Sequence, residues 1–219
     1  METSRKPARR PPQASQERDD GSTVYVIDDD ADVRRAMEGF LSSAGLRCEA
    51  FATAEDFLRR ADAHAAAGCM ILDVSLPGMS GLDFQNQLRR AGVEIPIIFL
   101  TAHGDIPMTV SALKSGAVEF FTKPFNDERL LDAVRDALAR ARALREESAE
   151  AAAVRRRYEL LTARERQVMD LVLTGMMNRQ IAAQLGTSVI TIKVHRGQVM
   201  HKMQAASLLD LARMAERIR

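Results

Sequence analysis

The sequence lacks any long hydrophobic run, since no apolar stretch in its 219 residues approaches the ~18 residues of a membrane-spanning helix. Residues 1–22 are polar, contain three prolines and have no apolar segment like the centre of a secretory signal peptide. We therefore expect a cytoplasmic protein with no membrane association. We expect residues 1–22 to form a disordered tail, because their composition cannot bury a core.

Cysteine is also scarce. Cys48 and Cys69 are the only two cysteines, and they form no Cys-x-x-Cys pair. A disulfide framework and a cysteine zinc site are therefore excluded as the organising principle of the fold. Hydrophobic residues make up 46% of the chain, which is enough to bury a core, and the length suggests one or two domains.

The formal net charge is only +1, but the charges are unevenly distributed. Residues 23–126 contain 9 basic and 14 acidic groups, a net charge of −5, whereas residues 159–219 contain 9 basic and 5 acidic groups, a net charge of +4. This distribution suggests two domains with different partners, because cations suit the acidic domain and polyanions suit the basic one. The alternative is that these excesses serve only solubility.

Short apolar runs alternate with helical patterns in residues 23–126. The runs lie at 24–27, 48–51, 70–72, 97–100 and 118–121. This alternation predicts βαβ units, and hence an α/β doubly wound fold with a five-stranded parallel sheet. The last helix of this domain is predicted from about 127 to 145. A linker rich in alanine and charge follows at 146–158 and can also be helical, since alanine and glutamate are good helix formers.

Polar side chains stand where the predicted strands end. Three consecutive aspartates, 28–30, follow the first strand, Asp73 follows the third, Thr101 ends the fourth and Lys123 follows the fifth. Because ligands of open parallel sheets bind at the carboxyl ends of the strands, we expect these groups to converge. Carboxylates from neighbouring strands suit Mg²⁺, and a carboxylate can act as a nucleophile towards phosphorus. A lysine, a hydroxyl and a metal would then bind the phosphoryl oxygens.

Four segments, VYVIDDD, CMILDVSLPGMSGLD, PIIFLTAHGD and GAVEFFTKPF, resemble those of bacterial response-regulator receiver domains. The resemblance covers residues 23–126 and implies a flavodoxin-like fold. It implies that Asp73 is the phosphoacceptor. It also implies that Mg²⁺ is bound by Asp28, Asp29, Asp73 and the backbone carbonyl of Ser75, with Asp29 as the more direct ligand of the acidic pair.

The same resemblance implies roles for three further residues. Thr101 and Lys123 would contact the phosphoryl group, and Phe120 would be the aromatic residue that switches orientation. The peptide bond between Lys123 and Pro124 would be cis. A rival interpretation is a Mg²⁺-dependent phosphatase with a nucleophilic aspartate. That enzyme would need a second aspartate two residues after the nucleophile as general acid, and Ser75 occupies that position.

Residues 159–219 show only helical patterns. A capping box begins at Thr162, and the spacing of Ala182, Gly186 and Ile192 is typical of a helix-turn-helix. A solvated helix in a small bundle is the alternative. The second helix of the motif presents side chains suited to phosphates and base edges. The residues that we predict to contact DNA are Ser188, Thr191, Lys193, Val194, His195, Arg196 and Lys202.

The segment LTARERQVMDLVLTGMMNRQIAAQLGTSVITIKVHRGQVMHKM is similar to the LuxR-type helix-turn-helix of the NarL/FixJ family, and in particular to its FixJ-like members. The match covers about residues 159–216. Gly197 departs from the family pattern, because some relatives have a lysine there that reaches bases.

Both resemblances together imply a two-component transcriptional response regulator rather than an enzyme. A sensor histidine kinase would phosphorylate Asp73. The phosphorylated chain would form a homodimer through its fourth helix and fifth strand, bind promoter DNA and act on RNA polymerase. A regulator that binds DNA independently of phosphorylation is the alternative.

Overall fold

The computed structural model describes residues 21–60, 67–102 and 104–218. The predicted tail at residues 1–22 therefore lies almost entirely outside the described residues. The strands are β1 (Thr23–Ile27), β2 (Arg47–Phe51), β3 (Gly68–Leu72), β4 (Ile97–Thr101) and β5 (Glu119–Thr122). All neighbouring strands are parallel, and the order β2-β1-β3-β4-β5 is that of a doubly wound sheet. The predicted fold class is thus confirmed.

Helices connect these strands and cover both faces of the sheet. They are α1 (Ala31–Ser43), α2 (Ala54–Arg60), α3 (Gly81–Arg90) and α4 (Ile106–Lys114). Every residue of β1, β3 and β4 is buried, because helices pack on both faces of these strands. Side chains alternate between two cores: Tyr25 and Ile27 belong to one, and Val24 and Val26 to the other.

One helix, α5 (Asp127–Glu159), spans 33 residues and includes the whole segment predicted as a linker. The described residues up to Leu138 form one compact unit, and those from Ala139 form a second. The end of α5 belongs to the core of the second unit, where Val154 is buried and Tyr158 packs beside it. None of the described helices is both long and apolar enough to cross a membrane.

The second unit is helical throughout its described residues. Its helices are α6 (Ala163–Leu173), α7 (Asn178–Gln184), α8 (Val189–Met203) and α9 (Leu208–Glu216). The predicted capping box at the start of α6 is present. In the predicted helix-turn-helix, Ala182 of α7 and Ile192 of α8 are buried in one cluster, and Gly186 turns the chain between them with φ 61°.

Candidate phosphoryl-acceptor site and nucleic-acid interface

The three acidic residues meet because β1 and β3 are neighbours in the sheet. Leu72 lies opposite Ile27, and the amide of Asp73 donates a hydrogen bond of 2.8 Å to the carbonyl oxygen of Ile27. Asp28 and Asp73 therefore leave the sheet side by side. Carboxylate oxygens of Asp28, Asp29 and Asp73 lie within 4.8 Å of one another, an arrangement that can bind a metal ion.

Lys123 brings a positive charge to this cluster. Its Nζ lies 2.7 Å from Oδ2 of Asp28 and 3.5 Å from Oδ2 of Asp73. The Lys123 amide donates a hydrogen bond of 2.8 Å to the carbonyl oxygen of Thr101, which fixes the start of the loop after β5. The peptide bond to Pro124 is cis, as the receiver resemblance implied.

Burial and ion pairing shift the pKa values of Asp28 and Lys123 in opposite directions. Asp28 is 3% exposed, and this desolvation raises the pKa of its carboxyl above the ordinary value, despite the hydrogen bonds from Lys123 and from the Asp30 amide. Desolvation also lowers the pKa of Lys123, but its hydrogen bonds and charge interactions with Asp28 and Asp73 together outweigh that effect, so the pKa of Lys123 is raised. One ammonium group thus faces three carboxyl groups, which leaves negative charge for a bound cation to offset.

The third aspartate of the run has a different role. Oδ1 of Asp30 accepts a hydrogen bond of 2.8 Å from the Asp32 amide and caps α1. The Asp30 amide itself donates a hydrogen bond of 2.9 Å to Oδ1 of Asp28. Asp28 and Asp29 are therefore the two aspartates of the run whose carboxylates lie beside that of Asp73.

Arg34 holds the loop that carries the acidic pair, a contact that strand-end patterns do not reveal. Its Nη1 donates hydrogen bonds to the carbonyl oxygens of Asp28, at 2.6 Å, and Asp29, at 2.9 Å. The only signal in the sequence is the spacing, which places an arginine in the second turn of α1, within reach of the preceding loop.

The loop after Asp73 returns close to the acceptor. The Ser75 amide donates a hydrogen bond of 3.0 Å to Oδ1 of Asp73, and the Gly81 amide donates one of 2.9 Å to the carbonyl oxygen of Val74. A Cβ atom on Gly81 would lie 2.2 Å from the Asp73 carbonyl oxygen, so only glycine fits at the start of α3. The Ser75 side chain is exposed. The proposed role of its backbone carbonyl stays a prediction.

The two predicted switch residues lie in adjacent strands. Thr101 is fully buried and lies opposite Thr122, whereas Phe120 is half-buried, with its ring centroid 6.1 Å from that of Phe99. A Cβ atom on Gly104 would lie 2.8 Å from Cε1 of Phe120. The absence of a side chain at Gly104 thus lets the loop after β4 lie against this ring.

The predicted DNA-contacting residues divide into two groups on α8. Lys193 and Val194 are exposed, and His195 is half-buried. The other four hydrogen-bond within the protein. Ser188 caps α8 and lies 2.9 Å from the hydroxyl of Thr191, Arg196 donates to the Asn178 side chain at 3.1 Å, and Lys202 donates to Glu165 at 2.7 Å.

The contact of Lys202 links α8 to the capping box of α6. Glu165 is buried, and its Oε2 accepts hydrogen bonds from the Thr162 amide, at 2.8 Å, and from Lys202. Burial raises the pKa of Glu165, but these hydrogen bonds outweigh it and hold the pKa below its ordinary value. Lys202 thus pairs with a carboxylate in the domain core and is not on the exposed face of α8.

A doubly wound sheet with three carboxylates and a lysine at its carboxyl edge defines a phosphoacceptor receiver domain. Residues 24–135 match the family described as "Response regulator receiver domain", and residues 159–215 match "Bacterial regulatory proteins, luxR family". The chain belongs to the response regulators that join a receiver domain to a LuxR-type helix-turn-helix domain.

Relatives with both domains agree with this assignment. The chain is 50% identical to Nodulation protein W of Bradyrhizobium diazoefficiens, over 88% of this chain and 85% of that protein. It is 40% identical to Transcriptional regulatory protein FixJ of the same organism, over 89% and 94%. A solved structure of response regulator StyR has a TM-score of 0.78 at 43% identity, covering 90% of this chain and 98% of that one.

The chain is therefore a two-component transcriptional response regulator and not an enzyme. Its receiver domain implies a histidine kinase as partner, and its helix-turn-helix domain implies binding to DNA. The FixJ-like resemblance that the sequence motifs predicted is confirmed.

Proposed function

We propose that Asp73 accepts a phosphoryl group from a sensor histidine kinase. The observation that supports this role is the position of the Asp73 carboxylate, within 4.8 Å of the other two carboxylates and 3.5 Å from Lys123. A carboxylate oxygen of Asp73 would attack phosphorus and form a P–O bond. The P–N bond to the kinase histidine would break, and the histidine nitrogen would leave with the electron pair.

The residues at the site fit Mg²⁺, because a hard cation that keeps several waters needs few oxygen ligands. Asp28, Asp29, Asp73 and the carbonyl of Ser75 would hold it. Bound Mg²⁺ supplies positive charge that stabilises the phosphoryl oxygens. Lys123, which hydrogen-bonds to Asp28, would also pair with one phosphoryl oxygen, and the Thr101 hydroxyl would bind another.

Acceptor identity is tested by labelling the chain with radioactive acetyl phosphate and mapping the label by mass spectrometry. We expect a single label on Asp73, lost in Asp73→Asn and lost when EDTA removes the metal. Asp30→Asn is the matched control, because it removes a charge from the same edge and an asparagine still caps α1. It should be labelled like the wild type. Undiminished labelling of Asp73→Asn would contradict the assignment.

The output of the phosphorylated chain would be promoter binding as a homodimer in the cytoplasm, with an effect on RNA polymerase. Apolar side chains on α4 support an association surface there, because Ile106, Val110 and Leu113 are all exposed. Phosphorylation would draw Thr101 towards the acceptor and let Phe120 turn inward, which changes the surface of α4 and β5. A regulator that ignores phosphorylation would instead bind DNA equally well with and without Asp73.

A further inference from the structure

The exposed face of α8 has little hydrogen-bonding capacity in its first two turns. Ile190 is 75% exposed and Val194 is 57% exposed. Residues four apart lie on the same face of a helix, so the two branched side chains stand one above the other. One turn further, Gly197 is exposed and adds no side chain, and a Cβ atom built on it would have no neighbour within 4 Å. Gln198, four residues after Val194, is exposed and polar, so the ridge is apolar at Ile190 and Val194.

Several of the polar residues on or next to α8 hydrogen-bond within the protein. The Ser188 hydroxyl accepts a hydrogen bond from the Thr191 amide at 3.0 Å, and the two hydroxyls lie 2.9 Å apart. The Arg196 guanidinium is half-buried against Asn178, and Lys202 is paired with Glu165. Four polar side chains on or next to this helix are thus bonded within the chain, which leaves Lys193, His195 and Gln198 as the polar groups beside the ridge.

We infer that Ile190 and Val194 contact the C5-methyl groups of thymines in the major groove, so that the operator has thymine where this ridge faces it. This inference rests on the proposed binding of promoter DNA through α8. Thymine alone among the four bases presents a methyl group in that groove, and an apolar side chain is its complement. Lys193 is exposed beside the ridge and supplies the charge that holds it near phosphates.

DNA fits this ridge better than a protein partner does. Residues 159–219 have a net charge of +4, from 9 basic and 5 acidic groups, which suits a polyanion. Two side chains offer far less apolar surface than the ~800 Å² per partner of a stable protein interface. The opposite face of α8 is fixed in the core by Ile192 and Val199, so the ridge points away from its own domain.

The test removes single methyl groups from DNA. A duplex is selected from random sequence by the full chain, with and without acetyl phosphate, and each thymine is then replaced by deoxyuridine, which keeps every hydrogen-bonding group. We expect one or two thymines in each half-site at which this replacement weakens binding by about fourfold, the factor that corresponds to burial of one methyl group. The other thymines should tolerate uracil.

Variants of the ridge assign the effect to its residues. Ile190→Ala and Val194→Ala should each bind duplexes with thymine and with uracil equally well at the position that the lost side chain contacts. Leu160→Ala is the matched control, because Leu160 is also exposed, at 67%, but lies outside α8. It should keep the wild-type preference for thymine. Neither ridge variant should change the slope of log Kd against log salt concentration, since no phosphate contact is lost, whereas Lys193→Ala should flatten it.

The outcomes separate this inference from the proposed function. If the chain selects a duplex but uracil is tolerated at every position, methyl contact by Ile190 and Val194 is refuted while DNA binding stands. The same conclusion follows if both ridge variants still lose affinity when uracil replaces thymine. If the variants change only self-association of the chain, a second copy occupies the ridge and the inference is overturned. If no duplex is selected under either condition, promoter binding itself fails, and the inference fails with it.

Discussion

Arg34 shows how one side chain outside the acidic cluster can control its geometry. Its guanidinium holds the carbonyl oxygens of both Asp28 and Asp29, so the orientation of the pair depends on it. Two effects on a bound cation oppose each other. Positioning of the carboxylates strengthens metal binding, whereas the positive charge of Arg34 weakens it.

We expect Arg34→Gln to bind Mn²⁺ about tenfold more weakly than the wild type, because outer contacts that orient metal ligands have effects of this size. The measurement is the free Mn²⁺ concentration by electron paramagnetic resonance, which requires no phosphorylation. Arg35→Gln is the control, since Arg35 is exposed and pairs with Asp32 on the same helix. It should leave the affinity nearly unchanged. Tighter Mn²⁺ binding by Arg34→Gln would mean that its charge matters more than its position.

Glu165 gives the DNA-binding unit a predictable response to acid. Its folded-state pKa lies below the ordinary value of 4.5, so the charged form stabilises the fold at neutral pH. This contribution is present above pH 4.5 and is lost as the pH falls through the lower, folded-state pKa. We expect the protection factors of amides in α6 and α8, which are corrected for the intrinsic exchange rate at each pH, to fall over that interval.

Glu165→Gln should exchange faster than the wild type at pH 7, because the half-buried Lys202 loses its partner, and the difference should shrink as the pH falls below 4.5. Glutamine still fits the capping box, so the helix start is retained. Glu216→Gln, which removes an exposed carboxylate from α9, is the control and should follow the wild type. A difference that does not change with pH would show that charge on Glu165 is not the cause.

Local sequence patterns predict the strands of the sheet well, but they do not predict that the end of α5 is buried. The five strands follow from short apolar runs, and their order brings Asp28 and Asp73 together by a rule that holds for open parallel sheets. The segment of α5 after residue 145 is alanine and charge, with Val154 and Tyr158 as its apolar residues, too few to predict burial. Only the fold shows that α6 and α9 complete the core around them.

Contacts between residues that are far apart in the sequence explain why two residues predicted to contact DNA hydrogen-bond within the protein. Lys202 was predicted to contact DNA because its sequence position placed it on the same helix as Lys193. Its partner Glu165 lies 37 residues earlier and is brought close by the packing of α6 on α8. Periodicity within one helix carries no information on such a pair, and the same holds for the contact between Arg196 and Asn178.

Burial of Val154 predicts that the end of α5 contributes to the stability of the second unit. Val154→Ala removes two methyl groups from a buried site, so we expect the unfolding free energy of this unit to fall by about 2 kcal/mol. Urea denaturation, followed by hydrogen exchange in α6 and α9, measures the change. Val194→Ala makes the same substitution at an exposed helical site and should cost less than about 0.5 kcal/mol. Equal effects would place Val154 outside the core.

The two domains of the chain differ in net charge, and each charge suits a different ligand. The receiver segment 23–126, with a net charge of −5, suits a metal ion, and residues 159–219, with a net charge of +4, suit DNA. A single helix-turn-helix contacts few base pairs, and two of them on one duplex bind far more tightly than one, because the second contact becomes intramolecular. The proposed dimerisation would therefore be sufficient to convert phosphorylation into DNA affinity.

We expect phosphorylation to raise affinity for a two-site operator by about a hundredfold or more, and to leave affinity for an isolated half-site unchanged. Sedimentation should show a dimer only for the phosphorylated chain. Asp73→Ala should remain monomeric and bind the operator weakly under all conditions. Ile106→Glu, which places a charge on the exposed surface of α4, should still be phosphorylated but should not dimerise. A gain of equal size on the half-site would mean that phosphorylation relieves an inhibition within one chain, and dimerisation through α4 would then not be the switch.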